Sequence, residues 1–267
     1  MAAVTPAANT ANARVGRGDL DALAAATSPL TLAAEQLLPV DAAASALLPG
    51  GVLRRGMAVT IGGRARRSLA LTLAAEASSA GSWVALVGVR DMGLAAVEEY
   101  GLSLTRLAVI EDPGPDWGAV VAALIGSVDV IITSTPERVS SRDGRRLAAR
   151  LRERGSVVIE LRSQRETVLQ GDVTLHADSA SWQGLHRGHG RLERRKVVVH
   201  TGGRGAAARG GRVEMWLPSA AGRAEVIAAS GGPGADGEVV TYDTVADVAD
   251  LTARLKARVE ARVAASE

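Results

Sequence analysis

Between Met57 and Leu161, short apolar runs rich in β-branched residues alternate with stretches long enough for about three helical turns. No other feature constrains the fold as much. The runs are Met57–Ile61, Trp83–Val87, Leu107–Ile110, Val128–Thr133 and Val157–Leu161. Between them, Ser68–Ala80, Asp91–Tyr100, Asp116–Ile125 and Arg142–Glu153 read as helices, with Asp91 and Asp116 as N-terminal caps. Gly81, Gly101 and Gly155 stand where helices end on a left-handed residue. Strands separated by helices must cross over the sheet to pair in parallel, so both faces of the sheet are covered. After Asp172 the pattern changes. Val173–Ala177, Arg191–Thr201 and Arg212–Leu217 read as strands joined by glycine-rich connections, as in an antiparallel extension. The expected fold class is therefore α/β: a mostly parallel sheet flanked by helices, with an antiparallel C-terminal extension.

Three segments are expected: a partly helical N-terminal stretch over 1–39, a core domain over 40–230, and a linker with a terminal helix over 231–267. Residues 19–38 read as two short helical pieces broken near Ser28-Pro29. Composition narrows the chemistry. Hydrophobic residues make up 47% of the 267, but aromatics only 2% and Phe none, so the core must be built from Ala, Val, Leu and Ile. Cysteine is absent, which excludes disulfides, thiolate nucleophiles and Cys-ligated zinc. His186 and His189 form an H-x-x-H pair without Cys and with few nearby acids, and with His176 and His200 they read as polar loop histidines. No metal or cofactor is expected. There is no basic segment followed by an apolar stretch at the N-terminus, and no apolar run of roughly 20 residues. A cytoplasmic chain without membrane contact is expected.

The junction Thr60-Ile61-Gly62-Gly63-Arg64-Ala65-Arg66-Arg67-Ser68-Leu69 runs from strand to glycine-rich turn to helix, where a phosphate-binding loop would sit. A working loop wraps phosphates in backbone N–H groups, reaches their oxygens with a Lys, and holds Mg²⁺ through the next hydroxyl. Here the loop is short, its second glycine is missing, and Arg66-Arg67-Ser68 replaces the Lys-Ser/Thr pair. A guanidinium is too bulky and too planar to do the work of that Lys. Such a machine also needs an acid at the end of a later apolar strand. In Val128–Thr133 that terminal position is Ser134, and Asp129 lies at the opposite end. Gly62, Gly63, Arg66, Arg67 and Ser68 thus read as a degenerate phosphate loop, with no catalytic residues and no enzyme activity expected.

These elements, in this order, resemble RecA over roughly residues 38–178. Leu38-Pro39-Val40-Asp41, Gly50-Gly51-Val52-Leu53 and Gly56 match the approach to the loop. Ser68-Leu69-Ala70-Leu71 matches the helix after it, and Val128-Asp129-Val130-Ile131-Ile132 the strand that carries the metal-holding acid. Further features resemble the ImuA family, in its actinobacterial ImuA-prime type. They are the degenerate loop, Asp112-Pro113-Gly114-Pro115-Asp116-Trp117, the Trp182-Gln183-Gly184-Leu185 stretch with Arg187-Gly188-His189-Gly190-Arg191-Leu192, and Val213-Glu214-Met215-Trp216-Leu217-Pro218. The resemblance implies a RecA-like accessory of a damage-inducible mutagenesis complex. Its implied partners are an inactive Y-family polymerase homologue of the ImuB type and, indirectly, an error-prone C-family DNA polymerase, with RecA itself a further candidate. Ser163–Gly171 is too short for a second RecA DNA loop, so filament formation and strand exchange are not expected.

Charge is unevenly placed. From Trp182 to Arg212 eight cationic residues face a single acid, Glu193, whereas Val213–Glu267 is net acidic. The basic stretch suggests an anionic partner, and Arg187, Arg191, Arg194, Arg195 and Lys196 are the candidate DNA contacts. Val245–Val263 reads as a helix whose apolar stripe, Val248, Leu251, Leu255 and Val259, is the candidate partner surface, tethered by Gly231–Gly237. Two other readings stay open: a SulA-like division inhibitor that binds a tubulin-like protein, and a divergent ATPase that uses Arg66 and Ser68.

Overall fold

Four apolar runs of the sequence become strands buried on both faces: β1 (Ala58–Gly63), β2 (Val84–Val87), β4 (Val130–Ser134) and β5 (Val157–Leu161). A fifth, β3 (Leu107–Ile110), is less buried and closes the edge. The structure, a computed structural model, describes residues 36–136, 139–162, 168–186, 189–227 and 240–241. Nearly all belong to one compact unit, Leu38–Glu267.

The helices are α1 (Arg66–Ser79), α2 (Leu94–Glu99), α3 (Trp117–Leu124) and α4 (Ser141–Arg154). Three C-terminal strands follow, β6 (Val173–His186), β7 (His189–Gly203) and β8 (Gly211–Trp216), then the short β9 (Glu225–Val226). The sheet runs β9-β8-β7-β6-β1-β5-β4-β2-β3. From β6 to β3 every pairing is parallel, and from β6 to β9 every pairing is antiparallel. This is the expected α/β class, with the RecA-like arrangement that the motif order implies.

Strand alternation sorts the core into two layers. Val59, Ile61, Leu86, Ile132 and Ile159 pack on one side with Leu69 and Leu73 of α1. Ala58, Ala85, Ile131 and Val158 pack on the other with Trp117 and Val121 of α3 and Leu147 and Leu151 of α4. With both faces covered, the strands need continuous apolar runs rather than alternation. Helix α1 is buried along most of its length, whereas α4 is amphipathic. Its N-cap Ser140 accepts the Asp143 N–H at 3.1 Å, and Gly155 ends it at φ 77°.

Several local expectations are corrected. Asp91 does not cap a helix; it lies at φ 58°, and α2 starts three residues later after Gly93. Asp116 precedes α3 but makes no side-chain cap. Asp129 is outside β4: its carboxylate accepts the Trp83 N–H at 2.9 Å and pairs with Arg55 at 2.8 Å, which ties the starts of β2 and β4 together. Leu37–Leu38 is a two-residue strand, not a helix end. The largest departure is β6, which continues nine residues past Ala177 through register shifts at Asp178 and Gly184. Val240–Thr241 pairs with Ser181 and Trp182 on its edge. The linker 231–237 and the helix 245–263 lie outside the described residues, as do residues 1–35. Among the described residues no helix is long and apolar enough to cross a membrane.

One buried polar chain crosses the second layer. The Trp117 indole N–H donates to Thr133 Oγ1 at 2.8 Å, and that hydroxyl donates to the Val87 carbonyl at 3.1 Å. Thr133→Val keeps the shape but strands the indole N–H, so urea unfolding should show a loss of about 1–3 kcal/mol. Adding Trp117→Phe to Thr133→Val should cost less than the sum of the two single changes, because the stranded donor is then gone.

Candidate functional site

The β1–α1 junction contains no open loop. β1 runs through Gly63 and α1 begins at Arg66, which leaves two residues between them. Ala65 is buried in the core. The glycines serve the sheet. Gly62 pairs with His176 and Gly63 with Ala177 on β6. A Cβ on Gly62 would come within 2.8 Å of His176 Nδ1, and one on Gly63 would collide with the Ala177 backbone. Gly63 is also held at φ 87°, a region that favours glycine.

The side chains after the turn are also engaged. Arg66 folds back to donate to the Gly63 carbonyl at 3.3 Å, and burial, then the neighbouring Arg67, lowers its pKa. Arg67 donates to the Arg90 carbonyl at 2.9 Å. Ser68 Oγ, at the position that would hold Mg²⁺, accepts from Arg195 Nη2 at 3.0 Å. Arg195 reaches it from β7. Its Nε donates to the Leu217 carbonyl at 2.7 Å, and its guanidinium lies 5.2 Å from the centre of the Trp182 ring. Burial depresses its pKa, against the opposing influence of Tyr100. Tyr100 is buried beside Ser68 and Arg195, and burial raises its phenol pKa. Its hydroxyl makes no hydrogen bond of good geometry among the described residues.

At the end of β4, Thr133 is occupied by Trp117 and Ser134 carries no charge. The buried carboxylate nearby is Glu160 on β5, paired in register with Thr60 and Thr133. It accepts from Thr135 Oγ1 at 2.7 Å and from the Val168 and Leu169 N–H groups at 3.1 and 3.4 Å. Its oxygens thus pin the chain after β4 and after β5. Sequence reading passed over Glu160, although a lone acid in Val157-Val158-Ile159-Glu160-Leu161 is the signal of a buried polar anchor.

The basic stretch forms the β6–β7 hairpin, and its cations divide. Arg195 turns inward. Lys196 pairs with Glu214 at 2.8 Å, which also accepts from Arg212 at 2.6 Å; the Lys196 hydrogen bond is the main cause of the lowered Glu214 pKa. Arg194 donates to Gln183 at 2.8 Å and stacks 4.2 Å from the centre of the Trp216 ring. Arg191 is exposed, 3.9 Å from Glu193. Arg187 lies outside the described residues, as do Val248, Leu251, Leu255 and Val259. On the open face of the hairpin, His176 and His200 both contact Asp178, at 2.9 and 3.0 Å. Among the described residues no group of three or more His, Cys, Asp or Glu is arranged to hold a metal.

A family model described as the MT3502 N-terminal domain matches residues 46–166. The match begins before β1, ends after β5, and leaves out the hairpin. The chain is also similar to the uncharacterized protein Rv3395c of Mycobacterium tuberculosis, 39% identical over 88 residues, which are 33% of this chain and 43% of that protein. The chain thus spans less than half the length of this curated relative. The likeness to the family model covers β1 to β5 and the β1–α1 turn, and leaves out Ala177 and Arg195.

Two glycine substitutions separate strand packing from turn conformation. Gly63→Ala adds a clash with the β6 backbone to the left-handed penalty of about 1–2 kcal/mol. Gly81→Ala, at φ 101° with nothing within 4 Å, carries the conformational cost alone. Chemical denaturation should show Gly63→Ala as the more damaging by at least about 2 kcal/mol.

Proposed function

We propose that this chain is a non-catalytic, RecA-like accessory protein of a damage-induced translesion synthesis complex, where it scaffolds an ImuB-type inactive polymerase and, through it, an error-prone polymerase. The observation that carries the non-catalytic part is the Arg195–Ser68 contact. The hydroxyl that a nucleotide's metal would need is held by a guanidinium from β7, while Ala177 covers Gly63. A metal held by that hydroxyl would require Arg195 to leave Ser68. The polymerase partner comes from the ImuA resemblance, and the similarity to the MT3502 N-terminal domain family is compatible with it.

Two measurements test this. A ligand that binds only the folded state must raise its stability, so saturating Mg-ATP should leave the melting temperature unchanged; a clear rise would restore the ATPase reading. In the second, the ImuB-type protein of the same organism is co-purified with the full chain and with a version ending at Ser230. Capture by the full chain alone places the partner site in the tail, and capture by both places it on the core. If neither captures it while both are folded, the scaffold reading fails. Binding to a tubulin-like division protein instead would favour the SulA-like one.

A further inference from the structure

Helix α4 carries six arginines: Arg142, Arg145, Arg146, Arg150, Arg152 and Arg154. All are exposed. Among the described residues none of them makes an ion pair or a side-chain hydrogen bond. Elsewhere the same residue type finds acids: Arg55 with Asp129, Arg90 with Asp112, Arg204 with Asp172, Arg212 with Glu214. An arginine-rich composition therefore does not by itself leave guanidiniums without partners in this fold. The helix holds only two acids against these six arginines, Asp143, which accepts from Ser140 at 2.6 Å, and Glu153.

The spacing orders these charges. Arg142, Arg146, Arg150 and Arg154 recur every four residues, so they form one row with a rise of roughly 6 Å per step. Arg145 and Arg152 flank that row, and Leu147 and Leu151 bury the opposite side. Like charges four residues apart repel and weaken a helix. An external polyanion would relieve that repulsion along its whole length. Beside the row, a groove of about 780 Å³ runs between α3 and α4, with Gly118, Ala119 and Ala122 keeping the α3 wall low. Asp116, Asp143 and Glu153 also line it.

We infer that the exposed face of α4 binds the sugar–phosphate backbone of a nucleic acid. A stable protein partner would be expected to anchor on aromatic or large aliphatic side chains, and among the described residues no exposed large apolar side chain lies on α3 or α4. Arginine forks instead suit phosphate oxygens, which they grip with two parallel hydrogen bonds. The hairpin is the weaker anion site because Lys196 already has a carboxylate partner and Arg195 is turned inward. The inference does not rest on the scaffold reading, which requires no nucleic acid.

The test uses the purified full chain and fluorescently labelled single-stranded and duplex oligonucleotides. Anisotropy is read between about 50 and about 200 mM salt. The wild type should bind at least one form, with affinity falling steeply as salt rises. Arg142→Gln/Arg146→Gln/Arg150→Gln should weaken binding on the order of tenfold or more at low salt and flatten the log–log salt slope by roughly 2–3. Lys at the same three positions should keep the slope, which separates charge from folding, and melting temperature checks the fold of every variant. Should the triple Gln variant not fold, Arg146→Gln alone should flatten the slope by about 1. Arg191→Gln/Arg194→Gln on the hairpin should bind within about twofold of wild type. The inference is overturned if the α4 variants bind like wild type, if the loss follows the hairpin variant, or if wild type binds neither oligonucleotide. It is also overturned if labelled polyglutamate binds α4 while nucleic acid does not, which would point to an acidic protein. Because the polymerase homologue is absent from this assay, its failure and that of the scaffold reading are distinguishable.

Discussion

The backbone contact between Gly62-Gly63 and His176-Ala177 is the constraint on which the C-terminal half of the sheet depends. A strand that turned away at Ile61 to form an open loop would leave β6 without a neighbour at that level. Because β1 stays paired through both glycines, β6 runs along it and then continues past its end. The hairpin, β8 and β9 build outward from that edge. Glycine at 63 is required twice over, by a left-handed φ and by a carbonyl too close to admit a Cβ.

That extension brings Arg195 back over α1. One guanidinium joins three elements: the first turn of α1 through Ser68, the chain leaving β8 through the Leu217 carbonyl, and β6 through the Trp182 ring. A charge removed from water is tolerated when its donors are satisfied and penalised when they are not. Here the backbone supports the same junction, with the Leu217 N–H donating to the Arg195 carbonyl at 2.7 Å and the Arg195 N–H to the Pro218 carbonyl at 3.0 Å. Opening the Ser68 position would therefore disturb the hairpin and the chain after β8 as well as α1.

The parallel sheet was legible because its rule is local. Each apolar run had to be a strand and each long gap a helix, and β5 has the ends that Val157–Leu161 suggested. The poor match of the loop to a phosphate site was equally readable from Arg66-Arg67-Ser68. The agents that close the site were not. Ala177, Arg195 and Glu160 lie from about 90 to more than 120 residues beyond the junction, and only the register of β6 and β7 brings the first two to it. The length of β6 was hidden by its bulges, since Asp178 and Gly184 break the two-residue alternation by which a strand is recognised. Asp91 looked like a cap because its residue type suits one, yet the same residue type also tolerates the left-handed turn it adopts.

Charge is rearranged by folding in two different ways. Counting cations over Trp182–Arg212 marks the hairpin as the anion-binding segment, because a count cannot register that Glu214 comes from β8 or that Trp216 and Trp182 offer ring faces. Pairing across strands gives Lys196 a carboxylate partner from β8, while Arg194 and Arg195 meet neutral groups. On α4 the reverse holds. The sequence marks it only as a helix, whereas among the described residues none of its six arginines makes an ion pair. The field outside a protein is set by its summed charge distribution, and the six arginines of α4 lie on the opposite side of the sheet from α1 and the Arg195–Ser68 contact. The Arg195–Ser68 contact and a cationic helix are then compatible in one domain, since neither draws on the residues of the other.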